Sequence, residues 1–211
     1  MPCFAICSGS GRRLWSRQSW PCNGIWLENG QGESTMKPQP PAPVKLFIAA
    51  LYSDAGKMEE AARLLQDRYG AIDFRSQPLP FTVTDYYAPE MGSPLFRQIL
   101  AFQPLIDPGE LARIKLETNT LEERLAVAGQ RKVNLDPGYL DYDKVVLAST
   151  KYNGQKIYLA HGIYADLTLR YSKGSFSPYP WSFPDFKTGE YTPFFLQIRT
   201  LYKQQRKVAS Q

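Results

Sequence analysis

Val44-Lys45-Leu46-Phe47-Ile48-Ala49-Ala50-Leu51-Tyr52, followed a few residues later by Lys57–Tyr69 (KMEEAARLLQDRY), is the stretch that decides the fold. The first segment is nearly all apolar, which predicts a buried central strand. Ser53 or Asp54 can cap the next segment. There Met58, Ala61, Ala62, Leu65 and Tyr69 recur at helical spacing before the terminating Gly70. A buried strand leading into an amphipathic helix implies a sheet with that helix packed on it.

Working outward, Ile72–Pro80 reads as a strand, with Pro78 and Pro80 marking a break or an edge. Phe81–Tyr87 (FTVTDYY) alternates and is β-branched and aromatic, so it is predicted as a strand, as is Leu95–Ile106. Asp107 and Pro108 suit the N-cap and first turn of a helix over Gly109–Ala128, buried along Leu111, Ile114, Thr118, Leu121 and Leu125. Val133–Leu135, Lys144–Ser149, Lys156–His161 and Ala165–Tyr171 read as strands, with Asn153-Gly154 as a hairpin turn. Asp136-Pro137-Gly138 has turn composition. Residues 176–193 read as an ordered surface loop, Phe194–Lys203 as a closing amphipathic helix, and residues 204–211 as a frayed tail. This order predicts an α+β fold: a ferredoxin-like split βαβ layer extended by a C-terminal β-meander and closing helix. An irregular α/β sandwich is the runner-up.

The stretch before this body is different. All three cysteines and three of four tryptophans fall within residues 1–35, which show neither helical nor strand period. Residues 1–43 are therefore expected to be disordered or a mis-assigned upstream extension, with translation starting at Met36; residues 44–203 are expected to form one domain. Arg12, Arg13 and Arg17 follow the mildly apolar Pro2–Cys7, the reverse of a secretory signal. Removing three Arg and two Glu leaves 22 basic and 18 acidic residues, a net charge of +4, with no cysteine. A cysteine-free body points to a cytoplasmic protein without thiol chemistry.

Composition excludes several classes. Thirteen Tyr and eleven Phe in 211 residues are too many aromatics for a disordered chain. No apolar run approaches the ~18 residues of a membrane-spanning helix. One His and three Cys leave too few soft ligands for a Cys/His zinc site. Phosphate-binding loops of the GxxxxGK[ST] or post-strand GxGxxG type are absent. Thr150-Lys151-Tyr152-Asn153 faintly resembles the base-reading TKxD of GTP-binding proteins, but Asn153 stands where Asp is needed.

Polar residues set at strand ends or on one helix stripe mark a candidate site. Lys115, Asn119 and Glu122 lie at i, i+4 and i+7 on the second helix. Arg131, Asn134 and Asp136 interrupt an apolar strand and its turn, Tyr87 and Lys151 end strands, and Asp166 and Thr168 share one strand face. Asp185 sits in an aromatic loop. Convergent charges of both signs suit a small ligand bearing phosphate or carboxylate. The bland alternative is a solvated helix face, an ordinary turn and an outward-pointing Asp166.

FTVTDYYAPEMG, IKLETNTLE, RKVNLDPGYL, KVVLASTK, GIYADLTLRY and WSFPDF before FFLQIR, in this order over about residues 44–203, resemble the bacterial domain of unknown function 4416 family. Some of its members carry the label GTP-binding protein; the family implies no established activity. The expectation is a cytoplasmic protein, with or without catalysis, that binds a phosphorylated or nucleotide-like ligand. Tyr87, Lys115, Asn119, Glu122, Arg131, Asn134 and Lys151 would bind it, and Asp136 and Asp166 would act as acid/base or hold magnesium rather than zinc. The alternative is a non-catalytic interaction or nucleic-acid-binding module. The basic body and its aromatics favour it; the scatter of Lys and Arg disfavours nucleic acid, and no membrane partner is expected.

Overall fold

Strand β1 (Val44–Tyr52) is buried along all nine residues, and its two faces serve different layers. In the computed structural model, which describes residues 38–152 and 154–208, Leu46, Ile48, Ala50 and Tyr52 meet helices α1 (Ala55–Tyr69) and α3 (Leu111–Arg124). Phe47 and Ala49 meet α5 (Thr192–Val208), through Phe195, Ile198 and Tyr202. A strand covered on both sides has no use for alternation, which is why its sequence is uniformly apolar. Lys45 is the exception. Fully buried, it ion-pairs with Asp73 and donates to Gln205 Oε1 at 3.1 Å.

Strands β4 (Phe96–Ile106) and β5 (Val133–Leu140) flank β1, both antiparallel. Strands β2 (Ile72–Arg75) and β3 (Leu79–Pro80) share the far edge of β4. The order β2-β4-β1-β5, with α1 and α3 as the connections, is the split βαβ layer expected from the sequence. Strand β6 (Lys144–Ser149) continues the sheet from β5, and β8 (Ile163–Ser172) continues it from β6. Strands β7 (Ile157–Ala160) and β9 (Ser175–Pro178) both line the outer edge of β8. The result is an antiparallel α+β sheet of nine strands among the described residues.

Caps act where the sequence put them. Asp54 accepts from Lys57 N at 3.0 Å to start α1. Asp107 accepts from Gly109 N at 2.7 Å to start a 3-10 turn, Pro108–Glu110, that leads into α3.

Five expectations need correction. Phe81–Tyr87 is not a strand: β4 already has β1 on one edge and β2 and β3 on the other, so no edge is left to pair with. Thr82 to Tyr86 are exposed; Phe81 packs inward beside Leu51, Met91 and Leu95, with the half-buried Tyr87 against the same cluster. A short helix α2 (Ala88–Met91) follows. Asp136-Pro137-Gly138 is not a turn but the middle of β5, opposite Phe47–Ala49. Ile72–Pro80 is two strands, broken at Ser76, whose hydroxyl accepts from Ile99 N at 2.9 Å. Residues 176–193 are not all loop, since they include β9 and a helix α4 (Pro184–Lys187). Nor do residues 204–208 fray: they continue α5, where Gln205 Nε2 donates to Gln103 O at 2.8 Å. The expectations for residues 1–35 and for Asn153 lie outside the described residues.

Candidate functional site

Strands β5 and β6 pair over three residues only, Gly138–Leu140 against Val145–Leu147, and then separate. Backbone parity explains where. Ser53 N donates to Lys132 O and Asp141 N to Lys144 O, both at 3.1 Å. With the registers fixed, odd residues of β5 from Pro137 onward turn their backbone groups toward β6. The next rung of the ladder falls on Pro137, which has no N–H to offer Ala148. Gly138, at the last pair, permits the close approach there. A Cβ on it would lie 2.5 Å from both Phe47 Cζ and Val146 O.

The gap opens a cavity of about 640 Å³. Asn134 and Asp136 of β5 and Leu147, Ala148 and Ser149 of β6 form its sides. Lys115, Asn119 and Glu122 of α3, with Arg97 of β4, supply further polar groups; Phe81, Tyr86, Tyr87 and Phe183 form an aromatic part of the wall. Helix α3 presents Lys115 and Glu122 here because Leu111, Ile114 and Leu125 fix its rotation by burial.

The charged side chains hold one another. Arg97, almost wholly buried, donates to Ala49 O at 2.9 Å, lies 3.1 Å from Asp185 Oδ2 and 3.4 Å from Asp136 Oδ2, and stacks 5.2 Å from the Phe81 ring centroid. Its Nε has no acceptor among the described residues. Lys115 Nζ donates to Leu135 O at 3.0 Å and sits 3.4 Å from Asp136 Oδ1. Glu122 accepts from Leu135 N at 2.7 Å and from Arg131 at 2.9 Å. Arg131 also makes a bidentate pair with Glu90, at 2.6 and 2.7 Å, and donates to Asn134 Oδ1 at 3.0 Å. Asn134 in turn donates to Asp136 Oδ2 at 2.8 Å.

These contacts set the protonation states. Burial would raise the Asp136 carboxyl, but Lys115 and Arg97 together outweigh it and hold it below its ordinary value, so Asp136 is ionised at neutral pH. Its side chain keeps 26% exposure, toward the cavity. Burial raises Glu122 despite Lys115. Burial, reinforced by the negative Asp136, pushes the Tyr87 phenol up to about 12, so it remains a donor.

Of the residues expected at the site, Tyr87, Lys115, Asn119, Glu122, Arg131, Asn134, Asp136 and Lys151 all line this one cavity. Asp166 does not: it lies behind the β6 wall, 3.5 Å from Lys156. Among the described residues no group of three or more His, Cys, Asp or Glu converges as a metal site. Sequence reasoning missed Arg97, Ser149, Tyr86 and Phe183. Arg97 alone carried a signal, a full charge inside the apolar strand LFRQILAF.

Fold and site together define an α+β protein of ferredoxin-like topology whose sheet parts to form a polar, aromatic-walled cavity. The chain belongs to the family described as Domain of unknown function (DUF4416), which matches residues 42–202. Neither a curated protein nor a solved structure matches it significantly. Among the described residues no helix is long and apolar enough to cross a membrane.

Proposed function

We propose that the cavity between β5 and β6 binds a phosphorylated or nucleotide-like small molecule. The observation that carries this reading is the split itself: an opened ladder rather than a closed sheet, lined by fixed charges and by aromatic rings. Its volume of about 640 Å³ lies within the roughly 300–1,000 Å³ of small-molecule sites. A flat ring can lie against Tyr86, Tyr87 or Phe183, while Asn119 and the Asp136 carboxylate offer polar partners. The ion pairs preorganise these groups, since Asp136 is held from both sides by Arg97 and Lys115. The lining carries four cations (Arg97, Lys115, Arg131, Lys151) and four carboxylates (Glu122, Glu123, Asp136, Asp185), so it balances, and specificity rests on placement rather than net charge.

The test is a thermal-shift screen with nucleoside phosphates and sugar phosphates, repeated on Thr150→Trp, an exposed wall residue whose replacement plugs the cavity. A ligand at 100 times its Kd stabilises by about 2.7 kcal/mol. A stabilising ligand whose effect disappears in Thr150→Trp is the expected result. No stabilisation by any compound, or a shift unchanged in Thr150→Trp, overturns the reading. Binding of RNA or DNA that weakens steeply with salt points instead to the nucleic-acid alternative.

A further inference from the structure

Ser149 ends β6 on the cavity wall, backed by two side chains outside the lining. Lys156 Nζ donates to Ser149 Oγ at 2.8 Å, and Asp166, 3.5 Å beyond, holds the lysine in place. The ammonium also sits 5.5 Å from the Phe183 ring centroid. From the other side Lys151 N donates to the same Oγ at 3.1 Å.

A serine hydroxyl has two lone pairs and one proton. Here both lone pairs are taken by N–H donors. The proton is left with one acceptor among the described residues, Lys151 O at 3.5 Å. That is well beyond the roughly 2.5–3.0 Å of a sound O–H···O bond. A hydroxyl so placed can donate but cannot accept, and the ammonium behind it polarises the O–H and strengthens that donation. The acceptor must come from the cavity that Ser149 lines.

We propose that Ser149 is an obligate hydrogen-bond donor to an oxyanion, phosphate or carboxylate, of the ligand, bound at the β6 end of the cavity. This rests on the cavity being a ligand site. It moves the anion away from Lys115 and Arg131, whose charges are consumed by Asp136, Glu122 and Glu90. Lys151 is the nearby cation without a carboxylate partner among the described residues: its Nζ lies 5.0 Å from the ring centroid of Tyr86, itself 69% exposed. An incoming anion draws it off that ring at little cost. Lys156 Nζ, ion-paired to Asp166, donates to Oγ, so this arrangement supplies Ser149 with a second donor and not with the base a nucleophile needs.

The test uses the ¹⁵N-labelled full chain titrated with inorganic phosphate and, separately, acetate. The amide signals of Thr150 and Lys151 shift saturably with at least one of them, the tighter of the two naming the oxyanion. Ser149→Ala, and Ser149→Cys as a near-isosteric weak donor, each raise the apparent Kd about tenfold, as loss of one charged hydrogen bond predicts. Unmoved amides at 150–151, serine variants that bind like wild type, or covalent capture of Ser149 by a fluorophosphonate each overturn the proposal. If nucleotides still stabilise the protein through Thr150-sensitive binding while these amides stay silent, the anion subsite is wrong and the cavity reading stands. If nothing binds in either experiment, both fall.

Discussion

Replacing Arg97 by Met leaves Asp185 without a cation. Its side chain is 6% exposed, and Arg97 is its sole ion-pair partner among the described residues; the other nearby donor is Tyr191 OH at 3.3 Å. Asp136 is less affected, because Lys115 remains 3.4 Å away. Breaking a buried pair from one side costs about 3–5 kcal/mol, mostly the penalty of the orphaned charge. Met fills most of the volume that Arg vacates, so little is lost from packing. At about 2–4 °C per kcal/mol for a domain of this size, the melting temperature should fall by roughly 10 °C. Urea denaturation at pH 7 measures the deficit. The double variant Arg97→Met/Asp185→Leu should recover most of the loss. A deficit below about 1 kcal/mol at pH 7, or a double variant no better than the single, refutes the view that these charges are a coupled buried network.

Three other contacts give expected outcomes of their own. Pro137→Ala supplies the missing donor opposite Ala148. The added hydrogen bond, about 0.5–1.5 kcal/mol, is nearly offset by the lost stiffness of proline, about 0.4–1 kcal/mol, so the readout is amide exchange at residue 137 rather than stability. A protected amide is expected, and fast exchange there contradicts the parity account of the split. Gly138→Ala forces a Cβ against Phe47 and Val146 O and should destabilise by about 1–3 kcal/mol in a denaturant titration. Glu117 is held down to about 2, first by its hydrogen bond to Arg68 and also by Tyr69 and Arg113. A lowered carboxyl contributes stability above its unfolded pKa and loses it as pH falls toward 2. Discounted for the exposed arginines, Glu117→Gln should cost about 1 kcal/mol at pH 7 and only a small part of that near pH 2, measured by urea melts at the two pH values.

Local chemistry made much of this legible in the sequence. The uniform burial of β1, the caps at Asp54 and Asp107 and the polar stripe on α3 are decided by neighbours in the chain, and their order was enough for the split βαβ layer. The failures share a cause. Phe81–Tyr87 has strand composition but finds both edges of β4 already taken, and Asp136-Pro137-Gly138 has turn composition but lies between β1 and β6. In both, the deciding fact is which strand sits alongside. The candidate site divides the same way. Polar residues inside apolar segments could be picked out, and eight of them line one cavity, whereas Ser149 is an unremarkable serine until Lys156 is seen behind it. Asp166 carries the same sequence signal as Asp136, and only the pairing of β8 with β6 puts it behind the wall.

The three paired residues between β5 and β6 give the sheet a fulcrum. On one side stand β2, β3, β4, β1 and β5, on the other β6, β8, β7 and β9, and beyond Gly138 no rung joins the two leaves. Rocking one leaf against the other about Gly138–Leu140 therefore changes the width of the gap without breaking a backbone hydrogen bond. Two helices span both leaves: α5 packs on Phe47 of one and Val145 and Leu169 of the other, and α3 packs on Val146 and Ala148 while its Lys115 reaches Leu135 O and Asp136. A sheet normally carries its backbone ladder unbroken through the middle of a domain; here side-chain packing and ion pairs, not the ladder, set the breadth at the middle, which is where a guest would have to fit.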